Sequence, residues 1–174
     1  MKIRQRHAGC HCEATSLPKQ SRVVISTPNS SLSTLRIVDA NLNRCREGLR
    51  VVEDSLRFVL NDEPLYKKTR RVRHDTDKIL RGSYASLIKE RDSIKDSGRQ
   101  MPETAKKDLA GIIIANFKRA QESLRVLEEY SKTFEPAAGS IDPSPQFKKQ
   151  RYAVYNIEKA VFLKYFKSVN PERT

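Results

Sequence analysis

Asp39-Ala40-Asn41-Leu42-Asn43-Arg44-Cys45-Arg46-Glu47-Gly48-Leu49-Arg50-Val51-Val52-Glu53-Asp54 returns later in the chain as Ile114-Ala115-Asn116-Phe117-Lys118-Arg119-Ala120-Gln121-Glu122-Ser123-Leu124-Arg125-Val126-Leu127-Glu128-Glu129. Both copies read A-N-x-x-R-x-x-E-x-L-R-V-x-E, without a gap. Such self-similarity fixes architecture ahead of local structure. In the first copy Val38, Leu42, Cys45, Leu49, Val52, Leu56 and Val59 recur at helical steps. In the second, Ile113, Phe117, Ala120, Leu124 and Leu127 occupy the equivalent stripe. A stripe of this period predicts an amphipathic helix buried along one face. The stretch reads as a duplicated helix carrying a duplicated site.

The flanks extend the pattern. Ser33 or Thr34 can cap the first helix, which should end near Asn61-Asp62. Asp62 caps a second helix with Pro64 in its first turn, lined by Leu65, Val72, Ile79 and Leu87 and bent or broken at Gly82. Gly98 and Pro102 interrupt any helix between Arg91 and Glu103. Thr104 caps the next helix, which carries the second copy to about Phe134. Ser144 caps the last helix, with Pro145 in its first turn, and that helix continues to about Phe166. The second helices also align: Pro64 to Arg70 resembles Pro145 to Arg151, with Asp77-Lys78 opposite Glu158-Lys159. A register three residues away pairs Arg73-His74 with Arg151-Tyr152 instead, and both stay open. The expected fold is all-α: an antiparallel helical bundle of two duplicated helical hairpins. Its single domain spans 32–174, with repeats at about 35–91 and 104–168, behind a flexible tail at 1–31.

With 174 residues, 37% of them hydrophobic, the chain can bury one real core. A net charge of +13 favours anionic partners such as phosphates or nucleotides. No apolar run approaches the roughly 18 residues that span a membrane. Three Cys, with Cys45 inside a helical stripe, argue against a disulfide framework and for a reducing, cytoplasmic setting. His7, Cys10, His11 and Cys12 sit in the tail at a spacing that fits no familiar zinc site.

On a helical wheel Asn41, Arg44, Gly48 and Val51 lie beside the apolar stripe, with Glu47 on their outer flank; Asn116, Arg119, Ser123, Val126 and Glu122 repeat the set. Arg50, Glu53, Asp54 and Arg57 are expected to point away as surface pairs. Packing through the stripes would give a seam with two Asn-Arg-Glu sets, Gly48 and Ser123 leaving room beside the arginines. Guanidinium pairs suit phosphate, since each offers rigid bidentate donors and a permanent charge. Asn can donate to phosphate or a ring nitrogen, and Glu can orient an Arg or hold Mg²⁺. Single candidates are Arg73 and His74, the loop residues Arg91, Asp92 and Asp96, and Arg151, Tyr152, Tyr155 and Glu158 on the last helix.

These residues resemble a known family. Arg36 to Asp54, Arg73-His74, Arg91-Asp92-Ser93 with Asp96, Ala115 to Tyr130 and Arg151 to Glu158 are similar, in order, to the alternative hydroxymethylpyrimidine phosphate kinase family. That helical domain is often fused ahead of bacterial thiamine-phosphate synthases. The resemblance implies ATP- and Mg²⁺-dependent phosphorylation of hydroxymethylpyrimidine phosphate to the pyrophosphate. It implies a small phosphorylated pyrimidine as substrate and a thiamine-phosphate synthase as a partner. Under it Arg44, Arg119, Arg91 and Arg151 would hold phosphates, and Asn41 or Asn116 would read the pyrimidine edge. Asp92, Asp96, Glu47 and Glu122 would be the catalytic carboxylates, with Asp92 and Asp96 as Mg²⁺ ligands; Arg73, His74, Tyr152 and Tyr155 complete the binding set. The family loop usually reads R-D-T-x-x-D-V-G-T, whereas this chain has Ser93 for the Thr and Ser97-Gly98-Arg99 at its end. No Gly-rich phosphate loop is present, so arginines must take that role. A non-catalytic sensor for a thiamine precursor or nucleotide is the first rival, and a helical nucleic-acid binder the second. A homodimer through the seam is compatible with either.

Overall fold

The computed structural model describes residues 25–26, 32–102, 108–136 and 141–167. The chain forms helices α1 (Leu32–Asp54), α2 (Glu63–Ile79), α3 (Tyr84–Lys89), α4 (Leu109–Ser131) and α5 (Ser144–Tyr165). A π-helical turn, Ser55–Val59, extends α1, and a 3₁₀ turn, Arg81–Ser83, joins α2 to α3 at Gly82. Among the described residues the one sheet pairing is an antiparallel two-residue bridge, Ile25–Ser26 against Glu135–Pro136. The fold is the all-α bundle of two hairpins that the repeat predicts. The bridge lies within the stretch read as tail; the rest of that stretch, including His7, Cys10, His11 and Cys12, lies outside the described residues.

The four long helices form a ring in which α1 packs on α2 and α4, and α5 closes the square against α4 and α2. Every residue of the two predicted stripes through Leu56 is buried, from Val38, Cys45, Leu49 and Val52 to Ile113, Ala120, Leu124 and Leu127 at 0% exposure. Val59 breaks the pattern at 57% exposed, because the π turn rotates the chain off the helical period.

Aspartates cap the starts of α2 and α4. Asp62 Oδ1 accepts from the Leu65 amide at 3.1 Å, with Pro64 in the first turn as expected. α4 is capped by Asp108, whose Oδ1 accepts from Gly111 N, rather than by Thr104, which lies outside the described residues. α5 begins at Ser144 with Pro145 in its first turn, but Ser144 is its first helical residue and not its cap. Pro143 takes the cap position with no side-chain bond, and Asp142 Oδ1 accepts the Ser144 amide at 2.8 Å.

Asp62 also binds Lys164 Nζ at 2.7 Å and the Tyr165 hydroxyl at 2.8 Å, fixing the end of α5 to the turn between α1 and α2. Arg91 reaches Asp39 near the start of α1, at the other end of the bundle. Since α4 begins beside the end of α5, α1 and α4 are antiparallel and the hairpins are joined by a long crossover. In this register a Cβ on Gly48 would lie 2.9 Å from the Asn116 carbonyl oxygen and 3.6 Å from Ala120 N. Gly48 therefore packs directly against the backbone of the second copy at Asn116 and Ala120, where the two long helices, related by an approximate two-fold axis, approach closely.

Candidate functional site

The duplicated letters first explain two buried ion-pair triads. Glu53 is 1% exposed and accepts from Arg73 Nε at 2.7 Å and Arg50 Nη1 at 3.3 Å. Glu128 is 5% exposed and accepts from Arg151 Nε at 3.0 Å, Arg151 Nη2 at 2.8 Å and Arg125 Nη1 at 3.1 Å. The expectation that Glu53 points to solvent fails because α2 supplies a cation over it, which makes burial tolerable. The same geometry chooses between the two registers: Arg73 is equivalent to Arg151, and His74 to Tyr152.

The seam set behaves differently. Asn41 and Asn116 each donate to the carbonyl one turn back, Ile37 O and Ile112 O, at 2.8 Å. Arg44, Glu47, Arg119 and Glu122 are exposed. His74 is exposed on α2 beside Arg73. On α5, Arg151 donates to the Tyr155 hydroxyl at 3.1 Å and lies over the rings of Tyr152 and Tyr155, 5.2 and 5.6 Å from their centroids. The two rings meet edge to face. This arginine is spent on Glu128 and the phenols; the Tyr155 hydroxyl and Glu128 hold its pKa above the ordinary value against desolvation.

A polar cleft of about 210 Å³ opens between the first half of α1, the end of α2 and α3. Asp39 and Asn43 stand one turn apart on α1, with Asn43 Nδ2 3.5 Å from Asp39 Oδ1. Arg91 closes the end as a two-pronged fork, Nε to Asp39 Oδ2 and Nη2 to Asp39 Oδ1, both 2.7 Å. This bidentate bond raises the arginine's pKa, with further help from the charges of Tyr84 and Glu47. Arg46 and Asp77 pair at 3.3 Å across the cleft, and Leu42, Leu80 and Leu87 form its floor. Arg81 and Tyr84 line the mouth, and Arg81 makes no ion pair or hydrogen bond among the described residues. Three arginines against two aspartates leave the cleft cationic.

Behind Arg91, Arg36 Nη2 donates to the Asp92 carbonyl at 3.3 Å, tying the loop to α1. Asp92 Oδ1 accepts from Lys95 N at 3.1 Å, the main cause of its lowered pKa, and Asp96 Oδ1 accepts from Gly98 N at 2.9 Å. Each carboxylate thus accepts a backbone amide of its own loop and shapes a turn there. Among the described residues no group of three or more His, Cys, Asp or Glu could hold a metal, and no helix is long and apolar enough to cross a membrane.

Of the residues singled out from sequence, the cleft gathers Arg91, with Asp92 adjoining it. Asp39, Asn43, Arg46, Asp77, Arg81 and Tyr84 were not singled out. Their signal lay in the positions where the copies differ: Asp39 answers to Ile114, Asn43 to Lys118 and Arg46 to Gln121.

Residues 36–160 match the model of the ThiD2 family. Among curated proteins, the thiamine-phosphate synthase of Nostoc punctiforme is 38% identical over 126 residues, 71% of this chain and 34% of that protein. That of Rhodopirellula baltica is 42% identical over 111 residues, 62% of this chain and 30% of its own. That of a Synechocystis strain is 38% identical over 132 residues, 74% and 36% respectively. The chain spans about a third of the length of these relatives. No solved structure matches.

Proposed function

The chain belongs to the ThiD2 family, and on that premise we propose that it is a phosphotransferase of thiamine biosynthesis, converting hydroxymethylpyrimidine phosphate to the pyrophosphate with ATP. The observation that carries this reading is the cationic cleft, with the fork of Arg91 and with Arg81, which has no ion pair or hydrogen bond among the described residues. Its volume of about 210 Å³ suits one small polar ring with a phosphate, and falls below the ~300–1,000 Å³ of sites for larger ligands.

In this reading the pyrimidine enters over Leu42, Leu80 and Leu87, its amino and ring nitrogens meeting Asp39, Asn43 and Asp77. Its phosphate is held at the mouth by Arg81, with Arg91 offering a second guanidinium. A phosphate oxygen then forms a bond to the terminal phosphorus of ATP while the bond from that phosphorus to the bridging oxygen breaks, and ADP leaves. Such a transfer needs positioning and charge neutralisation more than covalent help from the protein. Mg²⁺ would neutralise the triphosphate, held by the carboxylates of Asp92 and Asp96 together with phosphate oxygens. One or two carboxylates plus phosphates is the ordinary ligand set of this ion, so the loop fits it. Arg44 and Glu47 on α1 and Arg119 and Glu122 on α4 are exposed, and in this reading they face the nucleotide.

The test is incubation of the protein with Mg-ATP and hydroxymethylpyrimidine phosphate, followed by mass spectrometry for the pyrophosphate. Product in the native protein, strongly reduced in Arg81→Ala and Arg91→Ala, is the expected result. Saturable binding of the pyrimidine phosphate without product would replace the kinase reading with that of a sensor.

A further inference from the structure

The approximate two-fold carries the polar cleft onto a second cavity, of about 290 Å³, between α4 and the end of α5. The correspondence runs residue by residue: Asp39 maps to Ile114, Leu42 to Phe117, Asn43 to Lys118, Asp77 to Tyr155, Arg81 to Lys159 and Tyr84 to Phe162. Asp39, Asp77 and Tyr84 of the first cleft are replaced by Ile114, Tyr155 and Phe162, while Asn43 and Leu80 give way to the charged pair Lys118 and Glu158, and Phe166 completes the wall. Lys118 is held by Glu158 at 3.0 Å, and Glu158 also accepts from Gln121 at 2.6 Å, so that rim is internally neutralised. Lys159 is exposed and, like Arg81, makes no ion pair or hydrogen bond among the described residues.

We propose that this second cavity is a binding site for an aromatic ring bearing one anionic group, with the ring among Phe117, Tyr155, Phe162 and Phe166 and the anion on Lys159. Aromatic walls favour a flat ring by edge and face contacts as well as by area. An unpaired cation at the mouth of both clefts, in an otherwise changed lining, selects an anion-bearing occupant in each. The two cavities lie on different hairpins, so this site is separate from the polar cleft and independent of its chemistry.

The experiment is a fluorescence titration of the full chain with 8-anilinonaphthalene-1-sulfonate, an aryl anion. The native protein should bind one equivalent saturably, and phenyl phosphate should displace it where inorganic phosphate does not. Ile114→Asp puts into this cavity the residue its twin already carries, and should weaken the probe by at least about tenfold, since the carboxylate must be desolvated beside the ring. Lys159→Glu alters only an exposed side chain, so it tests the anion contact even if Ile114→Asp lowers stability; it should weaken binding several-fold. Arg81→Ala should leave the probe unaffected. Absence of saturable binding, indifference to Lys159→Glu, or an equal loss in Arg81→Ala would overturn the proposal. None of these outcomes depends on whether the polar cleft is catalytic.

Discussion

A methyl group on Gly48 would lie 2.9 Å from the Asn116 carbonyl oxygen, a distance that real Cβ atoms do not adopt. Alanine gains about 1 kcal/mol over glycine in a helix interior. Overpacking against backbone costs about 1–3 kcal/mol, and backbone cannot rotate away. Packing should win, and Gly48→Ala should lower the melting temperature, with Gly48→Val lower still. Glu53 presents the opposite case, a buried charge that is already matched. Glu53→Gln leaves Arg73 without its anion, and since the Arg73 side chain keeps 17% exposure the loss should be about 2 kcal/mol, short of a fully buried pair. Arg50→Ala, at a side chain 51% exposed, should cost under about 1 kcal/mol. Denaturant melts of the two variants test that order. Burial pushes the Cys45 thiol up to about 12, so a variant with Cys10 and Cys12 replaced by Ser should resist thiol reagents at pH 8 until it unfolds.

At the scale of elements, Asp62 joins two helices: it caps α2 and receives Lys164 and Tyr165 from α5. Burial pushes its pKa up, but the bonds from Lys164, the Leu65 amide and Tyr165 outweigh that and hold it below 3.8. A carboxyl with a depressed folded pKa stabilises fully above its unfolded value. That stability is lost as pH falls through the folded value. The native protein should therefore lose stability below about pH 4, and Asp62→Asn should be less stable at neutral pH with a flatter acid limb. Thermal melts from pH 7 to pH 2.5 check both. The elements themselves were legible because periodicity, prolines and caps act within one or two turns. Thr104 as a cap was a local guess that Asp108 displaced. Glu53 was misread because its burial is decided by Arg73, on another helix, which no wheel drawn on α1 can include.

Across the whole molecule, letters shared by the copies and letters that differ do different work. Shared Asn, Glu and Arg residues satisfy backbone carbonyls and build the twin Glu53 and Glu128 triads, so they hold each hairpin together. The candidate site lies where the copies part, with Asp39, Asn43, Asp77 and Tyr84 in one cleft and Ile114, Lys118, Tyr155 and Phe162 in its twin. Repetition alone could not reveal this, because matching two copies discards the positions that distinguish them. Knowing the fold restores them, since the two-fold shows which residues occupy equivalent cavities. The central claim is that the first cleft, and not its twin, takes the pyrimidine phosphate. Calorimetric titration with hydroxymethylpyrimidine phosphate tests it most directly, using Arg81→Ala and its counterpart Lys159→Ala, both exposed changes. The account predicts one high-affinity equivalent bound by the native protein, at least about tenfold weaker in Arg81→Ala at an unchanged melting temperature and kept at native affinity in Lys159→Ala, any weaker uptake by the aromatic cavity being the only part that Lys159→Ala removes. Native affinity in Arg81→Ala, or an equal loss in Lys159→Ala, would contradict it.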